Sequence, residues 1–372
     1  MDVNAPLALL GGLSPAVFMR RHWQKTPLLV RRAWPRVVPP LPRRGMFELA
    51  ASDDVESRLV VRDADRWRVR PGPLPRRALP PLARPGWTLL VQGLDLHVAA
   101  AREMIERFRF VPDARLDDLM LSWASPGGGV GPHIDNYDVF LLQVGGRRRW
   151  RVGRVADASS IEGQPLKLLR HFEPQHDWLL EPGDMLYLPP RWGHDGVAEG
   201  TDCMTCSIGF RTPTAGDLAR DLLQRLAQDD GDTGPLYRDP RQGATAAPGE
   251  IPDTLLGFAR QAVARCLADP QALARALGES LTEPKPRVCF DRHAGPVTGG
   301  LRLDARSRMM YDPRHVYVNG ESYVAGGRDA RLMRCLADTR RLSAADRIRL
   351  GPQAAALVAE WVAAGWLHGD PA

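Results

Sequence analysis

From about Trp87 to Phe210 the chain alternates short apolar runs with glycine and proline, which narrows the fold to an antiparallel barrel or sandwich. Trp87-Thr-Leu-Leu-Val-Gln92 and Leu119-Met-Leu-Ser-Trp123 read as strands, with a helix between them over residues 98–107. Pro126-Gly127-Gly128-Gly129 then breaks the pattern. Val139-Phe-Leu-Leu-Gln-Val144 and Arg147-Arg-Arg-Trp-Arg-Val152 flank Gly145-Gly146, a spacing that predicts a tight hairpin. Before this region, residues 1 to about 50 mix prolines with short helical signals, including Ser14 as N-cap and Pro15 in a first turn.

After about Thr212 the texture becomes helical. Apolar residues recur at three- and four-residue spacing over 253–268 and 270–281, and residues 229–252 read as a mobile Gly-, Pro- and Asp-rich connection. From about Pro284 a third unit begins. His315-Val-Tyr-Val-Asn319-Gly320-Glu-Ser-Tyr-Val324 predicts a hairpin on an Asn-Gly turn, with helices over 328–339 and 352–364. A winged-helix-like module fits. The expected domains are 1–211 (barrel core about 87–211), a helical segment 212–283, and a winged-helix-like domain 284–372.

A hydrophobic fraction of 44% with 25% charged residues is that of a globular protein, and no apolar run reaches the length of a membrane span. The start Met1-Asp2-Val3-Asn4 lacks the basic and apolar stretches of a secretory signal, and five scattered cysteines do not make a disulfide framework, so a reducing cytoplasm is expected. The net charge of +6 permits a nucleic-acid partner. High-GC coding bias explains the arginines as well, and direct nucleic-acid binding is not the favoured reading.

Within the strand-rich region, His133-Ile134-Asp135 is followed 59 positions later by His194. An i, i+2 pair on a strand presents both side chains to one face. Two imidazoles and one carboxylate are the ligand set of non-haem Fe(II) oxygenases, which leaves positions open for other ligands. His194 follows a Pro-rich corner expected to deliver it to a barrel rim, whereas His171 and His176 flank a connection and are set aside.

Strand parity puts Arg148 with Trp150 and Val152 on an interior face, and Arg147, Arg149 and Arg151 on the other. A buried guanidinium calls for an anion. Its planar fork suits a carboxylate, and 2-oxoglutarate is the natural candidate beside the metal; an internal pair with Asp135 or Asp184 is the alternative. Cys203-Met-Thr-Cys206 lies in a strand pattern without further zinc ligands, so ordinary packing is favoured, while Ser207 could offer a hydroxyl to the bound acid. Gly127 to Gly131 lacks the Lys-Ser/Thr of a phosphate loop.

Ser125-Pro-Gly-Gly-Gly-Val-Gly-Pro-His133-Ile-Asp135-Asn-Tyr-Asp-Val-Phe140, continuing to Gly146-Arg-Arg-Arg-Trp-Arg-Val152, resembles the bacterial JmjC-type ribosomal oxygenases. Leu10-Gly-Gly-Leu-Ser-Pro15, His22-Trp-Gln-Lys-Thr-Pro-Leu28, Leu188-Pro-Pro-Arg-Trp-Gly-His194-Asp-Gly196 and Ser207-Ile-Gly-Phe-Arg211 extend the likeness. The resemblance implies an α+β chain: a double-stranded β-helix (cupin/JmjC) barrel, a helical dimerisation segment and a C-terminal winged helix, assembled as a homodimer. It implies Fe(II), 2-oxoglutarate and O2 as cofactor and cosubstrates, and a ribosomal protein partner, number sixteen of the large subunit, hydroxylated on an arginine β-carbon. By position, His133, Asp135 and His194 would bind iron, Arg148 the distal carboxylate of 2-oxoglutarate, and Ser207 would support it. Asp118 and Tyr137 are the substrate-arginine candidates. Glu199 to Thr205 matches no motif of the family. The rival readings are a related histidine hydroxylase or lysine demethylase, and a metabolite-sensing winged-helix regulator reading DNA through Arg328, Arg331, Arg334, Arg340 and Arg341.

Overall fold

The computed structural model of the chain describes residues 1–64, 66–229, 235–292, 295 and 297–370. They fall into two compact units, Met1–Thr212 and Pro213–Ala372. In the first unit the order is α1 (Pro15–Arg21), β1 (Leu28–Val30), α2 (Arg43–Leu49), β2 (Ser57–Asp63), β3 (Arg66–Pro71), β4 (Trp87–Val91), α3 (Ala99–Glu106), β5 (Leu116–Ala124), β6 (Tyr137–Arg154), β7 (His176–Leu180), β8 (Met185–Leu188) and β9 (Trp192–Arg211). Ser14 caps α1 by accepting from the Val17 amide, as its position before Pro15 predicts.

The strands form a cupin-type antiparallel barrel in the order β1-β8-β6-β9-β5-β4-β2-β3, with β7 also on β6. Two long strands make the barrel possible. The first half of β6 pairs with β8 and the far half of β9, and its second half pairs with β7 and the near half of β9.

The hairpin expected at Gly145-Gly146 does not form: β6 runs through it as one strand of 18 residues. The register shifts there, between Gln143, Gly145 and Arg147, so the glycines mark a bulge that bends the strand from one sheet into the other. Gly146 has φ +57°, and a Cβ there would stand 2.9 Å from the backbone of Thr201, Asp202 and Cys203. The two-glycine signal that suggests a turn serves equally for a bend inside a strand.

Alternation gives the sheet two buried faces. Outward, Phe140, Leu142, Met204, Cys206, Ile208 and Phe210 join Phe18, Met46 and Ile105 in the large core against the three helices. Inward, Val139, Leu141, Trp150, Val152, Leu186 and Leu188 form a smaller cluster. Phe140 is fully buried among Phe18, Phe108 and Tyr187, and its truncation to Ala is expected to cost about 3–5 kcal/mol.

The second unit holds α4 (Ala215–Asp229), α5 (Asp253–Cys266) and α6 (Pro270–Thr282), then β10 (Gly300–Leu303), β11 (Met309–Tyr311), β12 (His315–Val318), β13 (Glu321–Val324), α7 (Gly327–Thr339), β14 (Arg341–Leu342), α8 (Ala344–Ile348), α9 (Pro352–Ala363) and β15 (Leu367–Asp370). The β12–β13 hairpin turns on Asn319 and Gly320, both at positive φ, as an Asn-Gly turn demands. Of the connection expected over 229–252, residues 230–234 lie outside the described residues, and 235–252 hold no helix or strand.

Most of the arginines proposed for DNA readout are engaged inside this unit. Arg340 donates to the Asp304 and Ser307 carbonyls, and Arg334 to the Pro313 carbonyl while lying over Tyr311. Arg341 pairs with Asp370.

Candidate active site

His133 and Asp135 are not in a regular strand. His133 forms an isolated antiparallel bridge with His194, each amide donating to the other's carbonyl at 3.0 and 2.9 Å. The extended backbone still aims both side chains to one side, so the i, i+2 logic holds without a ladder. His194 is not at a rim: it is the third residue of β9, 4% exposed, opposite Val152 of β6.

Backbone carbonyls fix both rings. His133 Nδ1 lies 2.8 Å from the Gly131 carbonyl, and His194 Nδ1 lies 3.0 Å from that of Trp192. A carbonyl only accepts, so each Nδ1 carries the proton and each Nε2 keeps its lone pair. Both Nε2 atoms stand 3.6 Å from Asp135 Oδ2, and the ring centroids are 4.2 Å apart. One ligand atom from each residue lies within 4.8 Å of the others.

Two ligands at about 2.1 Å from one ion are separated by about 3.0–3.6 Å for angles of 90–120°. The three side chains therefore fit a metal, and by type they fit Fe(II). Burial and the neighbouring His133 hold His194 down to about 4, so it is neutral at pH 7. Burial would lower His133 and raise Asp135, but the hydrogen bond and charge they share raise His133 and hold the Asp135 carboxyl well below its usual range; a bound metal would take the place of that shared proton.

Parity places Arg148, Trp150 and Val152 inside the barrel, and all three are buried there. Trp150 packs 5.9 Å from the His194 ring, and Gly196 is required beside it, since a Cβ would come within 2.5 Å of the indole. The Arg148 guanidinium finds only soft company. Its Nε approaches Cys203 Sγ at 3.4 Å, and its buried Nη2 has no hydrogen-bond partner among the described residues. The ion pair with Asp135 or Asp184 does not form: Asp184 accepts from Arg31 and from the Arg32 amide. A buried guanidinium nitrogen without a partner among the described residues, on the same inner face as three converging metal-type ligands, has the chemistry to receive a carboxylate.

The JmjC domain family matches residues 103–218, and the ROXA-like winged-helix family matches residues 265–368. The ribosomal protein uL16 3-hydroxylase of Escherichia coli K12 is 35% identical over 326 residues, 84% of this chain and 86% of that protein. The chain belongs to the JmjC ribosomal oxygenases. A probable ribosomal oxygenase of Haemophilus influenzae is 33% identical over 83% of this chain and 82% of its own length. The solved structure of YcfD, an E. coli ribosomal oxygenase in complex with cobalt and 2-oxoglutarate, superposes with a TM-score of 0.80 at 30% identity, covering 96% of this chain and 98% of that one.

In this ribosomal oxygenase a cavity of about 260 Å³ opens beside the triad, lined by Gln92, Asp117, Asp118, Asp135, Tyr137 and Ser207 among others. It collects three of the residues named from the sequence, Asp118, Tyr137 and Ser207, around the 47%-exposed carboxylate of Asp135. Tyr137 donates to Asp117 at 2.9 Å, while Asp118 accepts from the Gly93 amide at 2.8 Å. Asp117 escaped the sequence reading, as did the polar group around Arg148. There Gln143 accepts from Thr205 at 2.9 Å and reaches toward Cys203. Cys203, Thr205 and Ser207 share one face of β9, so counting back in twos from Ser207 would have found the first two. Cys206 faces the opposite core, which rules out a Cys203–Cys206 pair acting together.

No helix among the described residues is long and apolar enough to cross a membrane.

Proposed function

We propose that this chain is an Fe(II)- and 2-oxoglutarate-dependent hydroxylase acting on the β-carbon of an arginine in ribosomal protein uL16, in the cytoplasm. One observation carries the chemistry: three ligand atoms converge inside the barrel while the buried Arg148 Nη2 has no hydrogen-bond partner among the described residues. His133, Asp135 and His194 would hold the metal, and Arg148 would clamp the distal carboxylate of 2-oxoglutarate through its planar fork. When bound, the metal with O2 and 2-oxoglutarate supplies the oxidising chemistry, coupled to decarboxylation of the cosubstrate.

The protein's own part is to position and to dry. Trp150, Val152 and Leu188 shield the inner face of the site from water. Asp118 lends the adjoining cavity negative charge, Asp117 being already paired with Arg211, which favours a cationic side chain over a neutral imidazole, and the Tyr137 ring offers an aromatic wall. That choice supports arginine over histidine as the substrate residue. The uL16 activity of a relative 35% identical supports the choice of protein. The relative with cobalt and 2-oxoglutarate supports the assignment of Arg148 and the triad. We further propose a homodimer through 212–283, where Leu255, Leu256, Val263 and Leu267 of this segment lie exposed; light scattering on the purified chain should give twice the monomer mass.

The decisive experiment incubates the enzyme with Fe(II), 2-oxoglutarate and a panel of ribosomal-protein peptides, then reads added oxygen by mass spectrometry. One added oxygen on an arginine of the uL16 peptide supports the reading. Modification of a histidine or loss of a lysine methyl group would replace it with one of the rival activities.

A further inference from the structure

The β2–β3 hairpin concentrates positive charge beside the active site: residues 57–71 hold five arginines against two aspartates. β3 is the last strand of the sheet, so its outer edge is unpaired among the described strands. Arg66, Arg68 and Arg70 alternate along it and are all exposed, about 6.7 Å from one to the next. Trp67 and Val69, half-buried, point to the other face.

The register carries that other face into the barrel interior. Thr205 of β9 lies opposite Ser122, Ser122 opposite Leu90, and Leu90 opposite Arg58. Arg58 and Arg62 thus stand on the same concave face as the metal triad, at its margin. Arg62 lies 5.5 Å over the Trp67 ring. The two border a separate cavity of about 230 Å³ with Gln164, Asp195 and the backbone of Gly127, Gly129 and Gly131. Asp195 accepts no hydrogen bond from the described residues there, so the cavity pairs an aromatic wall with a free acceptor.

Within residues 57–84 Asp63 is the only described carboxylate, and it serves both Arg68 and Arg84. Exposed pairs of this kind are weak and leave the surface cationic. A row of alternating arginines with an interleaved aromatic and a free backbone edge matches a single-stranded nucleic acid, whose phosphates repeat along the strand and whose bases stack. An acidic peptide has no base to stack on Trp67.

We propose that the β2–β3 hairpin is an RNA-binding edge that holds single-stranded RNA next to the active-site mouth. Phosphates lie along Arg66, Arg68 and Arg70 on the outer face, and one base folds round the free edge of β3 to reach the Trp67 cavity on the inner face. The choice of RNA over DNA rests on the ribosomal-protein reading above; the charge geometry does not. A basic ribosomal protein would then arrive with its RNA bridging two positive surfaces.

The test uses the full chain and a fluorescein-labelled single-stranded RNA, with anisotropy read across a salt series. Three phosphate contacts predict a log–log salt slope of about −2 from this edge. The triple variant Arg66→Gln/Arg68→Gln/Arg70→Gln should flatten the slope by that amount and weaken binding about ten-fold or more at low salt. Its hydroxylation of a naked peptide and its melting temperature should not change. Photocrosslinking should place adducts on residues 66–70. RNA binding that the triple variant leaves untouched overturns the proposal. So does tighter binding of a polyglutamate peptide or of DNA of the same sequence. Because binding is read without turnover, failure of the hydroxylase reading would show separately, as unmodified naked peptide.

Discussion

Among the described residues each unit buries one arginine, and the two have opposite environments. Arg340, 8% exposed in the second unit, donates at 2.6 and 3.1 Å to the carbonyls of Asp304 and Ser307. Arg148, 4% exposed in the barrel, has a thiol for a neighbour and a terminal nitrogen with no partner among the described residues. A buried cation satisfied by the backbone is part of the fold, whereas one left unsatisfied stores a desolvation cost that a ligand can relieve. Burial alone would not separate them. The hydrogen bonds do.

The contrast can be tested from both sides. Largest in effect, His133→Ala removes one of three converging ligands: turnover should fall to background while the melting curve holds, and succinate formation is the readout. Next, Arg148→Met should raise the KM or Kd for 2-oxoglutarate about 10- to 100-fold, the loss of a charge-assisted clamp. Because it also removes an uncompensated buried charge, thermal stability should hold or rise. A large drop in melting temperature would mean that Arg148 is structural like its counterpart. Arg340→Met should do the reverse, costing about 1–3 kcal/mol through unsatisfied carbonyls while leaving 2-oxoglutarate affinity unchanged.

The smallest effect concerns acid. Burial would raise Asp312, but bonds from Tyr317 and from the amides of Arg314 and His315 bring it down to about 2. A depressed carboxyl adds stability above its unfolded value near 4 and loses it as pH falls toward 2. Hydrogen exchange in β12 and β13 should accelerate over that window, and less steeply in Asp312→Asn. An unchanged pH profile would show that those bonds do not contribute.

Much of the site was legible because its signals are local. The two-residue offset of His133 and Asp135, and the parity that pairs Arg148 with Trp150, depend only on how an extended backbone alternates. They survived an error in topology: β6 passes straight through Gly145-Gly146, yet Arg148 still faces inward. The Asn319-Gly320 turn and the Ser14 cap are local in the same way. The β2–β3 hairpin was missed, because arginine at every second position looks like coding bias until its partner strand is seen. Asp117 was missed because its value depends on Tyr137, twenty residues away.

By itself, then, the order of residues determined which side chains share a face, where helices start and turns close, and which chemical types are available to hold a metal. Only the tertiary structure decided that His194 enters from a strand opposite Val152, that Gly145 and Gly146 bend a strand instead of ending it, and that the Arg148 Nη2 is buried without a partner among the described residues. Alternation is a property of one strand's covalent geometry. Convergence and desolvation arise from what distant segments place, or fail to place, around a group.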